Sequence, residues 1–187
     1  MVKTEQYDTL QDEELFALVQ KNDQDAFSVL YSRYSRKIYS YCLRMIGEEA
    51  PAKDIFHDVM IAAFENRNSF KGGSFAKWLF TIARTRSLNA IRNRKHTQDI
   101  TEMESWQEFA ETEEIEEKLF VNELLYKGIA RLPEELKEAL ILRHFEDYSY
   151  AEIAEMTGVS LSLAKVRVFR AIKMIQKKLS PYLREML

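Results

Sequence analysis

Residues 149–175, SYAEIAEMTGVSLSLAKVRVFRAIKMI, have the spacing of two helices joined by a tight turn. Ala154 is small, so a second helix can cross the first closely at this point. Gly158 stands at the turn, where a left-handed backbone is needed and glycine adopts it without strain. Ser160 can accept a hydrogen bond from the first turn of the helix that follows. The stretch therefore predicts a helix–turn–helix hairpin.

The second helix of this hairpin has two different faces. Apolar residues recur at three- and four-residue spacing on one side, which predicts a buried face of Leu161, Ala164, Val168, Ile172 and Ile175. The opposite side carries Val166 and Arg170, with Ser162 and Lys173 beside them and Phe169 at the border. Such a face can enter a DNA major groove. One alternative is an ordinary helical hairpin with a solvated basic face. A second is that Val166 and Phe169 pack on a neighbouring helix rather than on DNA.

The formal net charge of −3 conceals three blocks of alternating sign. Residues 71–98 hold seven basic side chains and no acid, and residues 156–184 have the same balance. Between them, residues 99–118 hold nine acids against one lysine. Because local basic surfaces decide contact with phosphates, the acidic total does not argue against nucleic-acid binding.

The remainder of the chain is also predicted to be helical. Only 5 glycines and 3 prolines interrupt the 187 residues, and no useful strand alternation occurs. In residues 23–47, Asp23 or Asp25 can cap a helix and Gly47 can end it. The apolar face of this helix is predicted to comprise Phe27, Leu30, Tyr31, Tyr34, Ile38, Tyr41, Cys42 and Met45.

Two further helices, residues 50–66 and 76–95, flank a loop that contains Gly72 and Gly73. The later helix is predicted to bury Trp78, Leu79, Ile82 and Ile91. The fold class is therefore all-α. Its predicted parts are two small bundles, residues 1–96 and 119–187, joined by the acidic linker of residues 97–118.

Several classes of protein are disfavoured by the composition. No apolar run approaches the roughly 18 residues that a membrane span requires, and the acidic start lacks a signal-peptide layout. A single cysteine, Cys42, excludes an intramolecular disulfide and a cysteine-based metal site. Neither a catalytic triad, a metal-ligand spacing nor a phosphate loop is evident. We therefore predict a cytoplasmic protein that is no enzyme and takes no cofactor, metal or small-molecule substrate.

Two segments resemble a known family. LPEELKEALILRHFEDYSYAEIAEMTGVS, residues 132–160, followed by a basic helix, resembles region 4 of bacterial sigma factors. AKDIFHDVMIAAFENRNSFKGGSFAKWLFTIARTRSLNAIRNRK, residues 52–95, resembles their region 2. Two such regions with only a short linker between them are similar to the extracytoplasmic-function (ECF, group 4) sigma factors. The resemblance covers roughly residues 10–180.

The resemblance implies that the protein binds core RNA polymerase, on the β′ clamp helices and the β flap. The helix with the sequence DIFHDVM would dock on the clamp helices through Asp54, Phe56, His57, Asp58 and Met60. For each of the two aspartates, a solvated acidic face is an equally good interpretation. His57 could likewise be an ordinary exposed helix residue.

The resemblance also implies recognition of the promoter −10 element by the Gly-Gly loop and the helix after it. The loop would capture a flipped base, and Phe70 and Phe75 could instead belong to the core. The basic side chains of the helix would hold phosphates. The predicted −10 residues are Asn68, Ser69, Phe70, Lys71, Ser74, Arg84, Arg86, Arg92, Arg94 and Lys95.

Region 4 of the family reads the −35 element as duplex DNA, here with Ser162, Lys165, Val166, Arg167, Phe169, Arg170 and Lys173. Arg170 could donate to guanine O6 and N7, while Arg167 would meet phosphate. Two positions depart from the family pattern: Val166 stands where a hydroxyl residue is usual, and Phe169 stands where histidine is common. A thymine methyl is a possible target for Val166, so no known −35 sequence is transferred.

Such factors are usually held inactive by an anti-sigma factor, which is often membrane-bound. The acidic linker could occupy the RNA exit path of polymerase, or it could be a solvated spacer extended by self-repulsion. Two rival classes stay open at this stage. One is a stand-alone helix–turn–helix regulator with a sensing or dimerising N-terminal bundle, and the other is a helical adaptor that binds only protein.

Overall fold

The computed structural model describes residues 7–98 and 125–185, and the side chains of residues 7–94 and 125–180. Every regular element in these two ranges is helical, which confirms the predicted all-α class. Residues 125–130 are helical too. The named helices are α1 (Asp12–Gln20), α2 (Gln24–Ile46), α3 (Glu49–Glu65), a 3-10 turn (Arg67–Ser69), α4 (Phe75–Gln98), α5 (Glu134–His144), α6 (Tyr150–Thr157) and α7 (Leu161–Glu185).

The chain divides into two compact units, Met1–Ala90 and Ile91–Leu187. The dividing point falls inside α4, which continues to Gln98 and so includes the first two residues of the predicted linker. The rest of that linker lies outside the described residues. Its role, and the predicted division at 96 and 119, therefore stay predictions. No helix among the described residues is long and apolar enough to span a bilayer.

Helix α2 has the predicted start and end. The Asp23 side chain accepts a hydrogen bond from the Ala26 amide at 3.1 Å, and Gly47 ends the helix with a φ of 84°. A positive φ of this size costs glycine nothing, because it has no Cβ. The predicted apolar face is buried apart from Phe27, which is partly exposed, and Tyr31, whose exposed fraction is 37%.

The core of the first unit is rich in aromatic rings around α1. Phe16 is fully buried, and its ring centroid lies 5.3 Å from that of Phe70, 4.6 Å from that of Phe75 and 5.1 Å from that of Trp78. Edge and tilted contacts at these distances add to the free energy of burial. Of the four core residues predicted in α4, only Leu79 is fully enclosed. Trp78, Ile82 and Ile91 are half-buried, whereas Phe75, Phe80 and Ala83 are buried.

In the second unit, turn chemistry fixes the hairpin. Pro133 is the N-cap of α5. Ser149 and Glu152 form a capping box at the start of α6, and Gly158 ends α6 in the left-handed region with a φ of 69°. The Ser160 hydroxyl accepts a hydrogen bond from the Leu163 amide at 3.2 Å, as a cap for α7. These local bonds satisfy backbone groups that the helix ends leave unpaired.

The buried face of α7 is close to the prediction. Ala164, Val168 and Ile175 are buried, and Ile172 is half-buried. The prediction that Leu161 is buried is wrong, because 47% of its surface is exposed. A helical side chain covers the turn N-terminal to its own Cα, and at the first residue of α7 this turn is the open hairpin loop. Ala171 is fully buried in the cluster that contains Ile129, Leu132, Leu140 and Ile175.

Candidate nucleic-acid and protein interfaces

One face of α7 is basic and apolar at once. Val166 is 39% exposed and Phe169 is 60% exposed, so the described helices of their own unit do not enclose either side chain. The Lys173 ammonium lies 5.7 Å from the centre of the Phe169 ring, within cation–π distance. Of the other −35 candidates, Ser162, Lys165 and Arg170 are exposed and Arg167 is half-buried.

The Gly-Gly loop, residues 66–74, is an open turn of the first unit. Gly72 and Gly73 have φ values of 105° and 88°. Lys71 donates from Nζ to the Asn68 carbonyl at 3.0 Å, and the Ser74 hydroxyl accepts from the Lys77 amide at 3.4 Å. The side chains of Asn68, Ser69, Lys71 and Ser74 are exposed.

The two phenylalanines that flank the loop glycines differ in burial. Phe75 is 2% exposed and belongs to the core, as the alternative interpretation held. Phe70 is half-buried, with its ring edge-on to Phe16 and 5.5 Å from the Trp78 centroid. Only part of the Phe70 ring is therefore available to a ligand.

A cavity of about 270 Å³ opens between the end of α3, the loop and the middle of α4. It is lined by Ala62, Asn66, Thr81, Ile82, Thr85, Arg86 and Asn89. Of these residues the sequence analysis had singled out only Arg86 for contact with DNA. The polar residues Thr81, Thr85 and Asn89 recur every four positions on α4, a pattern that could have been noticed.

Hydrogen bonds decide what this cavity offers a ligand. Thr81 and Thr85 donate their hydroxyl protons to the carbonyls of Lys77 and Thr81, at 2.8 Å and 2.9 Å. Asn66 donates from Nδ2 to the Ala62 carbonyl at 2.8 Å. The oxygens of these three side chains keep lone pairs for donors, and the guanidinium of Arg86 supplies donors. The cavity can therefore accept hydrogen bonds from the donors of a flat polar group and donate hydrogen bonds to its acceptors.

On α3 the five candidate docking residues separate into two sets. Asp54, His57 and Asp58 are exposed, whereas Phe56 and Met60 are 6% and 5% exposed. The Phe56 ring contacts two aromatic rings of α2, with centroid distances of 5.8 Å and 6.1 Å. Phe56 and Met60 therefore serve mainly the packing of α3 on α2, where little of either side chain is left for direct docking.

Beside the exposed set lies a groove of about 450 Å³ between α2 and α3. Its lining is Gln24, Phe27, Ser28, Tyr31, His57, Met60, Ile61, Phe64 and Glu65. Ile61 is 56% exposed, which is unusual for an isoleucine, and the sequence analysis did not single it out. Acidic and apolar groups thus lie side by side on one accessible surface.

Two kinds of reactive group can be assessed in the described part of the chain, metal-binding clusters and the cysteine thiol. No cluster of three or more His, Cys, Asp or Glu residues suited to a metal ion occurs there. Cys42 is buried, and this burial raises the pKa of its thiol to about 12. At neutral pH the sulfur therefore stays protonated and is a poor nucleophile.

The two units match two known sequence models. The model of Sigma-70 region 2 matches residues 30–97, and that of Sigma-70, region 4 matches residues 122–175. The RNA polymerase sigma-H factor of Pseudomonas aeruginosa is 33% identical over 189 residues, which cover 94% of this chain and 97% of that protein. The ECF RNA polymerase sigma-E factor of Escherichia coli K12 is 32% identical over 187 residues, with the same two coverages. The chain belongs to the ECF family of RNA polymerase sigma factors.

Solved structures agree with this ECF sigma factor in fold. CnrH, solved in complex with the cytosolic domain of CnrY, superposes with a TM-score of 0.71 at 20% identity and covers 91% of this chain and 97% of that chain. The sigma factor RpoE of Bartonella quintana, solved with the anti-sigma factor NepR, superposes with a TM-score of 0.67 at 23% identity. This match covers 82% of this chain and 96% of that chain.

As an ECF sigma factor, the protein serves transcription initiation, and the predicted sites can be located on its regions. The region 2 match contains α3, the Gly-Gly loop and α4 as far as residue 97, and the region 4 match contains α5, α6 and most of α7. Helix α1 precedes both matches. On α4, Arg86 and Arg92 are exposed, Arg84 and Arg94 are half-buried, and the Lys95 side chain lies outside the described ones.

Proposed function

We propose that this ECF sigma factor binds core RNA polymerase through the exposed surface of α3, engages the −10 element with the first unit and reads the −35 element with α7. It contributes no catalytic step of its own and acts in the cytoplasm. The observation that carries this proposal is the α7 face, where exposed Val166, Phe169 and Arg170 lie on a helix that a left-handed Gly158 turn presents.

The α7 face has the chemistry for reading duplex DNA. The exposed Arg170 guanidinium can donate two parallel hydrogen bonds to guanine O6 and N7. Val166 and Phe169 offer apolar surface that suits thymine methyl groups, since neither can hydrogen-bond a base edge. Half-buried Arg167, with exposed Lys165 and Lys173, suits phosphates.

For the −10 element we propose that the cavity beside the Gly-Gly loop receives an unstacked base. Thr85 and Asn66 would accept from its edge, and half-buried Ile82, which lines the same cavity, would contact its face. Unstacking costs a few kcal/mol, which contacts to both edge and face must offset. The exposed loop residues and the arginines of α4 would hold the adjoining phosphates.

For core polymerase we propose docking on Asp54, His57 and Asp58, with apolar contact from Ile61. An anti-sigma factor would compete by covering this same surface and the groove beside it. One of the neighbours in fold was solved with such a partner, the anti-sigma factor NepR, and another was solved with the cytosolic domain of CnrY.

Reconstitution with core polymerase tests the proposed function. The holoenzyme is expected to transcribe selected promoters and to lose activity when either the −10 or the −35 element is scrambled. The free chain is expected to bind duplex DNA weakly, because its reading elements act together on polymerase. Tight, sequence-specific binding by the free chain would favour a stand-alone regulator, and absence of polymerase binding would favour an adaptor.

The docking surface predicts a loss of polymerase affinity in the double variant Asp54→Ala, Asp58→Ala. We expect its affinity for core polymerase to fall on the order of tenfold, because two exposed carboxylates would leave the interface. The matched control is Asp8→Ala with Asp25→Ala, an equal change of charge at two other exposed positions of the first unit. Equal affinities for the two double variants, measured by fluorescence anisotropy, would disprove the assignment.

A further inference from the structure

We infer that α1 is a brace that sets the shape of the Gly-Gly loop, with Gln20 and Glu13 as positioning residues for −10 recognition. The inference rests on the proposed function, in which this loop engages the −10 element. Helix α1 lies outside the segment that matches Sigma-70 region 2, which begins at residue 30. Nothing in the region 2 match therefore assigns a task to α1.

Gln20, at the end of α1, holds the first part of the loop. Its amide nitrogen donates to the Arg67 carbonyl at 2.8 Å and to the Phe70 carbonyl at 3.0 Å. One side chain thus joins the first residue of the 3-10 turn to Phe70, the residue that follows the turn. Both bonds are partly shielded from water. Without the Gln20 amide, the Arg67 and Phe70 carbonyls would therefore lose a hydrogen-bond donor at a place where water replaces it only in part.

Glu13, two turns earlier on α1, holds the far end of the loop. Its carboxylate accepts a hydrogen bond from the Phe75 amide at 3.0 Å. Phe75 is the first residue of α4, where backbone amides are unpaired and a negative charge is favourable. A residue 62 positions away in sequence therefore helps to fix where α4 begins.

Between these two polar contacts, Phe16 forms an apolar one. Its ring packs on Phe70, Phe75 and Trp78, which lie on both sides of the glycines. The glycines themselves do not fix the backbone. Both have positive φ, which glycine adopts freely, and a Cβ added at either position would meet no atom within 4 Å. Contacts from outside therefore add to the loop's own bonds, such as that from Lys71 Nζ to the Asn68 carbonyl, and α1 supplies three of them through Gln20, Glu13 and Phe16.

Helix α1 is itself tied to α2. Arg33 donates to the Asp12 carboxylate at 2.7 Å and to the Leu10 carbonyl at 2.9 Å, and the Tyr34 hydroxyl donates to the same carboxylate. The brace is therefore anchored at its start and meets the loop along its length. A shift of α1 would move the loop relative to the cavity on α4.

The test uses full-length Gln20→Met, which keeps the length of the side chain and removes its donors. The holoenzyme is expected to bind a single-stranded −10 oligonucleotide about tenfold more weakly than wild type does, with reduced preference for the −10 sequence. Affinity for core polymerase and for a duplex −35 element is expected to be unchanged. Gln20→Glu should lose at least as much, because its carboxylate would face two carbonyl oxygens.

Lys21→Met, the same replacement at the exposed next residue, is the control and should bind the oligonucleotide as wild type does. If the Gln20 variants bind it with wild-type affinity and preference, the inference is overturned. If they lose core affinity or thermal stability in the same proportion, the role is structural and the inference fails as well. If the wild-type holoenzyme itself shows no −10 preference, the proposed function has failed, and that outcome is distinguishable from the others.

Discussion

Replacement of Phe16 by alanine is expected to lower the free energy of unfolding of the first unit by about 3–5 kcal/mol. Phe16 is fully buried and packs on three aromatic rings from the loop and α4. Truncation removes apolar burial, leaves a cavity among these rings and ends the contacts that each of them makes with the Phe16 ring. Because small domains have only about 5–15 kcal/mol of stability, much of the first unit would unfold near physiological temperature.

Urea denaturation, followed by Trp78 fluorescence in a Trp106→Phe background, measures this loss. The indole of Trp78 lies 5.1 Å from the Phe16 ring and so reports on the affected core. Ile61→Ala is the control within the same unit, because it removes a large apolar side chain from a site that is 56% exposed. We expect the control to change stability by less than about 0.5 kcal/mol. Similar effects of the two variants would show that Phe16 is not central to this core.

The features that the sequence predicted well depend on short-range rules. Asp23 and Gly47 at the ends of α2 lie within a few residues of the backbone groups that they serve, as do Gly158 and Ser160 in the hairpin. Helical periodicity predicted most of the buried face of α7 for the same reason. The same periodicity failed at Leu161, because Leu161 is the first residue of α7 and the turn before it is the open hairpin loop.

On α3, two of the assigned docking residues are buried, so their direct contact with polymerase stays a prediction. Phe56 and Met60 continue the apolar stripe formed by Ile55, Val59 and Ala63, and all five are buried. Resemblance to a family indicated which helix docks, but it did not indicate which side of that helix is accessible. The exposed Ile61 breaks the stripe and was overlooked.

The contacts of α1 with the loop could not have been predicted from a single sequence. Gln20 meets the Phe70 carbonyl across 50 residues, and Glu13 meets the Phe75 amide across 62. No local pattern marks either residue, since glutamine and glutamate are ordinary on an exposed helix face. The cavity beside the loop is equally non-local, because its wall comes from two helices and the turn between them.

The last prediction concerns base discrimination by α7. We expect Arg170→Ala to reduce base discrimination by the holoenzyme about 10- to 100-fold. Discrimination here is the ratio of its affinity for the −35 element to its affinity for a variant in which one guanine is replaced. A bidentate contact between arginine and guanine contributes about 1–3 kcal/mol of discrimination. The effect should be confined to the base pair that Arg170 contacts, and other substitutions in the element should retain their wild-type penalties. Competition binding with a set of single-substitution duplexes measures these preferences.

Lys177→Ala is the matched control, because Lys177 is exposed and follows Arg170 by seven residues, about 10 Å along the same side of the helix. A lysine that contacts phosphate adds affinity without reading sequence, so its removal should weaken binding to every duplex alike. It should also lower the slope of log affinity against log salt by about 1. If Arg170→Ala weakens all duplexes equally, Arg170 contacts phosphate, and sequence reading by α7 then depends on Val166 and Phe169.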